Sequence, residues 1–346
     1  MEKIIRQPKI HNRKQIIRSK NLSIFSLPFS PYIKQSEYEE VYLPFVQEYK
    51  KYIYDIYTTI RISPFKNDAM GGVLDSKKLI KQALKLQLDS KIPVSATFND
   101  ITVAPSEKNL DIFIESFKPL YDQGITFITM PVMHWMLSGK LFSQFPLLKI
   151  KNSVLNCVDN AQNYWDASLA GYAVINIDRR LLRDFKTLKE IKKAQNLFKD
   201  KFGYAPLTQI LANEHCIGLC PVMKEHYTKN ILTGSYDINY TCKSWKTNDE
   251  AYSYRVANIS PYYDDIKETL KYIDILKLHG RGGTALLQES MQIIGDYSKK
   301  KELFHLGSEL FENKKEEDIK QWRKTIKNCR FQCWNCDVCD RFIAKV

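Results

Sequence analysis

Eight short apolar runs, alternating in the later chain with segments of helical period, constrain the fold more than any other feature. They lie at 22–27, 52–58, 94–98, 126–131, 150–155, 173–177, 209–212 and 273–278. Most are rich in β-branched or aromatic side chains and short enough to be strands. Helix-period segments at 77–90, 107–122, 134–143, 159–169 and 181–201 fill gaps between them. Asp75–Ser76 is placed to cap the first helix and Pro105–Ser106 to start the second. Strand–helix alternation implies a parallel sheet. Eight strands within about 280 residues fit a closed (β/α)8 barrel better than an open sheet. No G-x-G-x-x-G follows the first run, so a dinucleotide crossover has no support. The expected fold class is therefore α/β, a (β/α)8 TIM-like barrel with a C-terminal cysteine-rich tail. The expected division is a basic arm over 1–20, a barrel over 21–297, and a charged linker with a metal-binding tail over 298–346.

Seven of the eight cysteines fall in two groups. Cys216, Cys220 and Cys242 lie near the middle, and Cys329, Cys333, Cys336 and Cys339 form a C-x3-C-x2-C-x2-C run. Cys157 stands apart and reads as a small buried residue or an eighth ligand. Closely spaced thiolates converge on metal centres. Zinc sites favour paired C-x2-C knuckles, whereas the tail spacing is nearer to ferredoxin-type runs that hold a cubane cluster. One or two 4Fe–4S clusters are expected, with zinc as the alternative. In the two-cluster version, three tail cysteines and one other hold one cluster, and the remaining tail cysteine completes the Cys216, Cys220, Cys242 set.

The chain starts without an apolar leader and carries no long uncharged run. A cytoplasmic protein without a membrane span is expected, a setting in which disulfides are disfavoured. The 346 residues carry a formal net charge of +13. A Lys-rich composition accounts for much of it, but residues 1–20 hold seven basic side chains against Glu2. That arm reads as a solvated terminus or an RNA contact.

In barrels of this kind chemistry gathers on the loops after strand C-termini. Those positions here are Asn99 and Asp100, His134 and Trp135, Asn156 and Cys157, Asp178 and Arg179, Asn213 to Cys216, and His279 to Arg281. The segments IPVSATFND (92–100), GITFITMP (124–131), FPLLKIKNSV (145–154), ILANEHCIGLCP (210–221) and IDILKLHGRG (273–282) together resemble the collagenase-like peptidase family U32. The resemblance spans roughly residues 20–295. It implies a barrel with a 4Fe–4S cluster and oxygen-independent hydroxylation of an RNA base or a quinone-precursor ring, with prephenate as the proposed donor in the RNA-directed members. Cys216, Cys220 and Cys242 match the family's cluster region; Lys277, Gly280 and Arg281 match its last-strand turn. His279 stands where an acidic residue is common.

Candidate roles follow. His215 and His279 are candidate general acids or bases, and Lys277 and Arg281 complete the candidate catalytic set. Arg179, with Asn99 and Asn213, is a candidate substrate contact, because a guanidinium grips carboxylate or phosphate bidentately. His134 and His226 are weaker candidates. The 61–72 loop reads as a cover over the mouth or a plain turn. Tyr252, Tyr254, Tyr262 and Tyr263 beside Arg255 either pack on the barrel or stack a nucleobase. The expected activity is an iron–sulfur hydroxylase acting on RNA or a small aromatic ring. Two alternatives stand: an electron-relay subunit with a protein partner, and a peptidase, for which neither G-x-S-x-G nor H-E-x-x-H is present.

Overall fold

The computed structural model describes residues 23–67, 75–216, 220–233, 250–281, 283–306 and 308–343. The basic arm, residues 68–72 of the 61–72 loop and Cys242 lie outside the described residues. Eight parallel strands close into a barrel in sequence order. They are β1 Phe25–Pro28, β2 Ile53–Thr59, β3 Val94–Thr97, β4 Phe127–Met130, β5 Lys149–Asn152, β6 Val174–Ile177, β7 Leu207–Leu211 and β8 Ile275–Lys277. β8 pairs with β1 through Leu276 and Phe25, which closes the ring. Every expected strand is present. The boundaries move where a cap takes over: β5 stops at Asn152 because Ser153 caps a short 3₁₀ turn at Val154–Asn156.

The helices form where period and caps agree. Asp75 accepts from the Lys77 and Lys78 amides at the start of the Ser76–Ser90 helix, and Ser106 accepts from Asn109 at the start of Glu107–Asp122. The latter buries Leu110, Phe113, Phe117 and Leu120 against the barrel. The segment expected as one helix over 134–143 is two, Met133–Ser138 and Lys140–Gln144. Gly139 divides them in a left-handed conformation that costs glycine nothing.

The barrel interior is polar at mid-height. Lys151 on β5 reaches Asp55 on β2 at 2.6 Å, with both side chains buried. Gln209 on β7 accepts a second bond from Lys151 at 3.2 Å and donates to Asn176 on β6 at 2.8 Å. Below them Phe127, Val174, Leu207 and Ile275 form an apolar plug. The barrel is thus apolar beneath and polar above, and among the described residues its polar side chains face the C-terminal mouth.

The 299–318 stretch differs from the solvated linker its charges suggest. Phe304 and Leu306 are buried in the barrel's core cluster. Phe311 belongs to a second core with Tyr254, Tyr262, Trp322, Ile326, Val338 and Phe342. The cysteine tail is therefore packed on the barrel. Arg323 and Lys327 of the Glu316–Ile326 helix and its end fasten it further by pairing with Asp265 at 2.8 and 3.1 Å.

Candidate functional site

Two groups of chemistry-bearing side chains sit at the ends of β6, β7 and β8, separated by one short helix. After β6 the chain turns into a 3₁₀ helix, Arg179–Arg183, capped by Asp178. With a rise of 2 Å and three residues per turn, its two ends are about 8 Å apart and face roughly 120° away from each other. Arg179 points toward the barrel mouth and Arg183 toward the cysteine tail, as their partners show.

In the mouth, Arg179 is buried and paired with Glu214, and its guanidinium also reaches the Tyr227 hydroxyl at 3.3 Å. Tyr227 in turn donates to Glu214 at 3.0 Å. Burial opposes the Arg179 charge, but Tyr227 and Cys216 outweigh it and hold the guanidinium protonated. The second mouth network runs through Glu289 on the Thr284–Ser298 helix. It accepts from Asn213 at 2.7 Å and contacts His215 Nε2 at 3.4 Å. Burial pushes the Glu289 carboxyl up, and the bonds from His215 and Asn213 pull it below its ordinary value. His215 has φ +57°, a left-handed backbone held by Asn258, which accepts from its amide at 2.8 Å.

His279 beside this network is part-buried. Its amide donates to Asn213 at 2.7 Å, while its Nδ1 has no hydrogen-bond partner among the described residues. Burial, aided by the charges of Arg281 and His215, lowers its pKa to about 4, so the ring is neutral near pH 7. Lys277 and Arg281 approach the ring of Tyr57 at 4.4 and 5.4 Å. Arg281 also donates to Thr59 at 2.8 Å. Two cations share one aromatic ring, an arrangement that stabilises positive charge in a desolvated mouth. Gly280 is required by a close approach: a Cβ there would meet the Pro28 ring at 2.8 Å.

The second group is the tail. Cys329, Cys333, Cys336 and Cys339 all line one cavity of about 190 Å³, with Arg183, Arg255, Trp322 and Phe331 in its wall. The left-handed residues Arg330 and Phe331, at φ +47° and +59°, make the tight turn between the first two cysteines. Arg183 stacks between Trp322 and Phe331 at 5.8 and 5.5 Å and donates to the Tyr254 carbonyl at 2.8 Å. Cys339 contacts that same carbonyl at 3.6 Å. Burial raises the Cys339 thiol to about 11; Arg183 and Arg255 pull it down, and Cys329 and Cys333 push it up. Among the described residues, no three His, Cys, Asp or Glu side chains gather closely enough to hold one metal ion.

The structure thus brings together Arg179, Asn213, His215, His279, Lys277 and Arg281 at the mouth, and the four tail cysteines at the cavity. Cys216 is felt electrostatically by Arg179 and lies beside the mouth. Cys220 is part-exposed at the start of the Met223–Thr233 helix, and Cys242 lies outside the described residues. Asn99 is buried on the opposite side of the mouth sequence, after β3, with its Oδ1 unbonded among the described residues. Cys157 is part-buried in a left-handed turn, and burial raises its thiol pKa. His226 stacks on Tyr227. The tyrosine stretch packs: Tyr254 and Tyr262 belong to the tail core, Tyr263 lies against Tyr297, and Tyr252 bonds the His215 carbonyl. Sequence reasoning did not single out Glu289, Tyr227, Tyr57 or Arg183. The nearest signals were the charge of Arg183, four residues after Arg179, and the candidate His226 beside Tyr227.

Comparison with solved structures adds the fold relationship. The structure titled "The Structure of the U32 Peptidase Mk0906" superposes with a TM-score of 0.51 at 11% identity, over 75% of this chain and 94% of that one. The barrel has the fold of a U32 peptidase. At that identity the likeness concerns architecture. No protein-family model matches the chain, and no curated protein does. Among the described residues no helix is long and apolar enough to cross a membrane.

Proposed function

We propose that the chain is an iron–sulfur barrel enzyme that carries out oxygen-independent hydroxylation, or a related modification, of an RNA base or a small aromatic ring. The observation that supports this reading is the sharing of one cavity by four tail thiols that a C-x3-C-x2-C-x2-C run brings together. Tetrahedral zinc needs its sulfurs about 2.3 Å from one centre. A cubane binds each thiolate at a different iron and tolerates wider separation. Cys329, Cys333, Cys336 and Cys339 are thus the residues to hold a 4Fe–4S cluster, and Arg183 and Arg255 offset the negative charge of four thiolates. When bound, such a cluster supplies one-electron chemistry.

The mouth's own residues supply binding and proton handling. Lys277 and Arg281 draw an anionic group into the barrel over Tyr57. His279, kept neutral by burial, can accept or hold a proton at Nδ1. His215, bonded to Glu289, is positioned to exchange protons with solvent. Arg179, held by Glu214 and Tyr227, shapes the wall between mouth and cluster. Cys216 stands on the mouth side, and a second centre there with Cys220 and Cys242 is part of the same reading. The fold neighbour is titled a peptidase. Peptide hydrolysis with a side-chain nucleophile would need a nucleophile–base pair, and among the described residues the mouth networks above do not form one.

The test is anaerobic purification with iron, sulfide and zinc analysis and a visible spectrum. About four irons and four sulfides per chain, lost in Cys339→Ser and retained in Cys157→Ser, are expected; about eight would add the second centre. Zinc without sulfide would overturn the reading.

A further inference from the structure

The geometry points to the outer edge of the cysteine cavity as the docking surface for a small acidic electron-transfer protein, which delivers electrons one at a time to the tail centre. This rests on the iron–sulfur reading above. Cys333 and Cys336 are the exposed members of the tail set, while Cys329 and Cys339 are part-buried. Between them stands Trp334, 83% exposed, the most exposed large hydrophobic side chain among the described residues. A tryptophan held in water on a short 3₁₀ turn, Cys333–Asn335, gains nothing from the fold that presents it. Aromatic anchors of this kind concentrate binding energy at interfaces.

The charge around it selects the partner. Residues 320–341 carry six basic side chains against Asp337 and Asp340. Arg323 and Lys327 face inward to Asp265. Lys320 and Lys324, one helical turn apart, are exposed; Arg330 and Arg341, flanking the cysteine run, are exposed too but paired with Asp184 at 3.0 Å and Asp337 at 3.2 Å. Exposed lysines on the helix that carries the cavity-wall residue Trp322, together with one exposed aromatic and two exposed sulfurs, match an acidic donor. Redox encounters of this type use small surfaces, below about 1,200 Å², steered by charge. Single-stranded RNA would instead call for a row of stacking aromatics along a basic track. Trp334 and the distant Tyr32 are the exposed aromatics among the described residues.

In the transfer, a reduced iron–sulfur or flavin protein loses one electron and the tail centre gains it. No proton or group moves. The path inward is short, because the cavity's far wall is Arg183, on the same 3₁₀ helix whose other end lines the mouth.

The experiment uses the full-length, cluster-loaded protein and a reduced, acidic plant-type ferredoxin as probe. Stopped-flow absorbance follows reduction of the cluster, and direct binding is measured in parallel by titration at two salt concentrations. Trp334→Ala and Lys320→Glu/Lys324→Glu are compared with the parent, with dithionite as a small reductant that needs no docking. The expected result is a loss of about tenfold or more in ferredoxin-driven reduction and binding for both variants, with weaker salt dependence in the charge variant and dithionite rates unchanged. Equal ferredoxin rates and affinities in parent and variants would overturn the docking surface while leaving the cluster intact. Trp334-dependent binding of a labelled RNA oligonucleotide, with no effect of Trp334 on ferredoxin, would also overturn it. A parent protein without cluster absorbance would sink the iron–sulfur reading itself.

Discussion

Replacing Lys151 by methionine tests whether the polar layer of the barrel is held by charge pairing. The side chain fits the same space, so packing is largely kept. What changes is the Asp55 carboxylate. It is fully buried, its Oδ2 loses the 2.6 Å bond to Lys151, and its Oδ1 already has no hydrogen-bond partner among the described residues. Leaving one charge of a buried pair uncompensated costs about 3–5 kcal/mol. Urea unfolding followed by fluorescence should show that loss as a lower midpoint with an unchanged slope. The double variant Lys151→Met/Asp55→Leu removes both charges and should recover most of it, because a buried pair replaced by apolar groups is often near neutral. Asp55→Asn alone has a further signature. Burial lowers the Lys151 pKa, and Asp55 is what opposes that. Without the carboxylate, the folded chain releases a proton that the unfolded chain keeps up to the ordinary lysine value near 10.4, so stability rises with pH below that value. A Lys151→Met loss below about 1 kcal/mol, or a double variant as unstable as the sum of the singles, would refute the reasoning.

Other outcomes follow from the same structure. His279, lowered to about 4 by burial, is neutral when folded but protonates near 6.5 when unfolded. Its contribution to stability is therefore complete above about pH 6.5 and is lost progressively as pH falls toward 4; a histidine NMR titration should show one ring that does not titrate above pH 5. Glu214→Gln removes the charge opposite buried Arg179 and should destabilise by about 2–4 kcal/mol, more than the exposed-pair variant Asp122→Asn, which should cost under about 1 kcal/mol in thermal unfolding. Trp322→Ala opens the tail core and exposes the cavity wall, with an expected loss of about 3–5 kcal/mol in urea unfolding; a loss below about 1 kcal/mol would contradict the packing role. Gly280→Ala forces a Cβ against Pro28 and backbone and should cost about 1–3 kcal/mol.

The barrel was legible because periodicity is local. A four-residue run such as Val94–Thr97 between two capped helices has few other solutions. The loop-end rule points to Arg179, Asn213, His215, His279 and Arg281 from the sequence alone. The partners of those residues were not legible. Glu289 comes from the middle of a helix 74 residues beyond His215, and Tyr227 from a helix after the cysteine loop. Neither residue type is marked by its own neighbourhood, although His226 beside Tyr227 is a candidate, since only barrel closure brings both to the mouth. The tail was misjudged for a related reason. Charges at 299–302 and 312–318 outnumber the apolar residues between them, yet Phe304, Leu306 and Phe311 are the ones that choose the docking face. Average polarity hides a few anchors that are far apart in sequence.

The walls of the cysteine cavity impose an order on assembly. Arg183 comes from the segment after β6, Arg255 from the connection before β8, and Trp322 and the four thiols from beyond the barrel. During synthesis the chamber has no complete wall until the last of these has emerged and docked on Tyr254. Any metal centre placed there is acquired by a barrel that has already closed, which makes loading a late checkpoint on correct folding and leaves the strands to form without it.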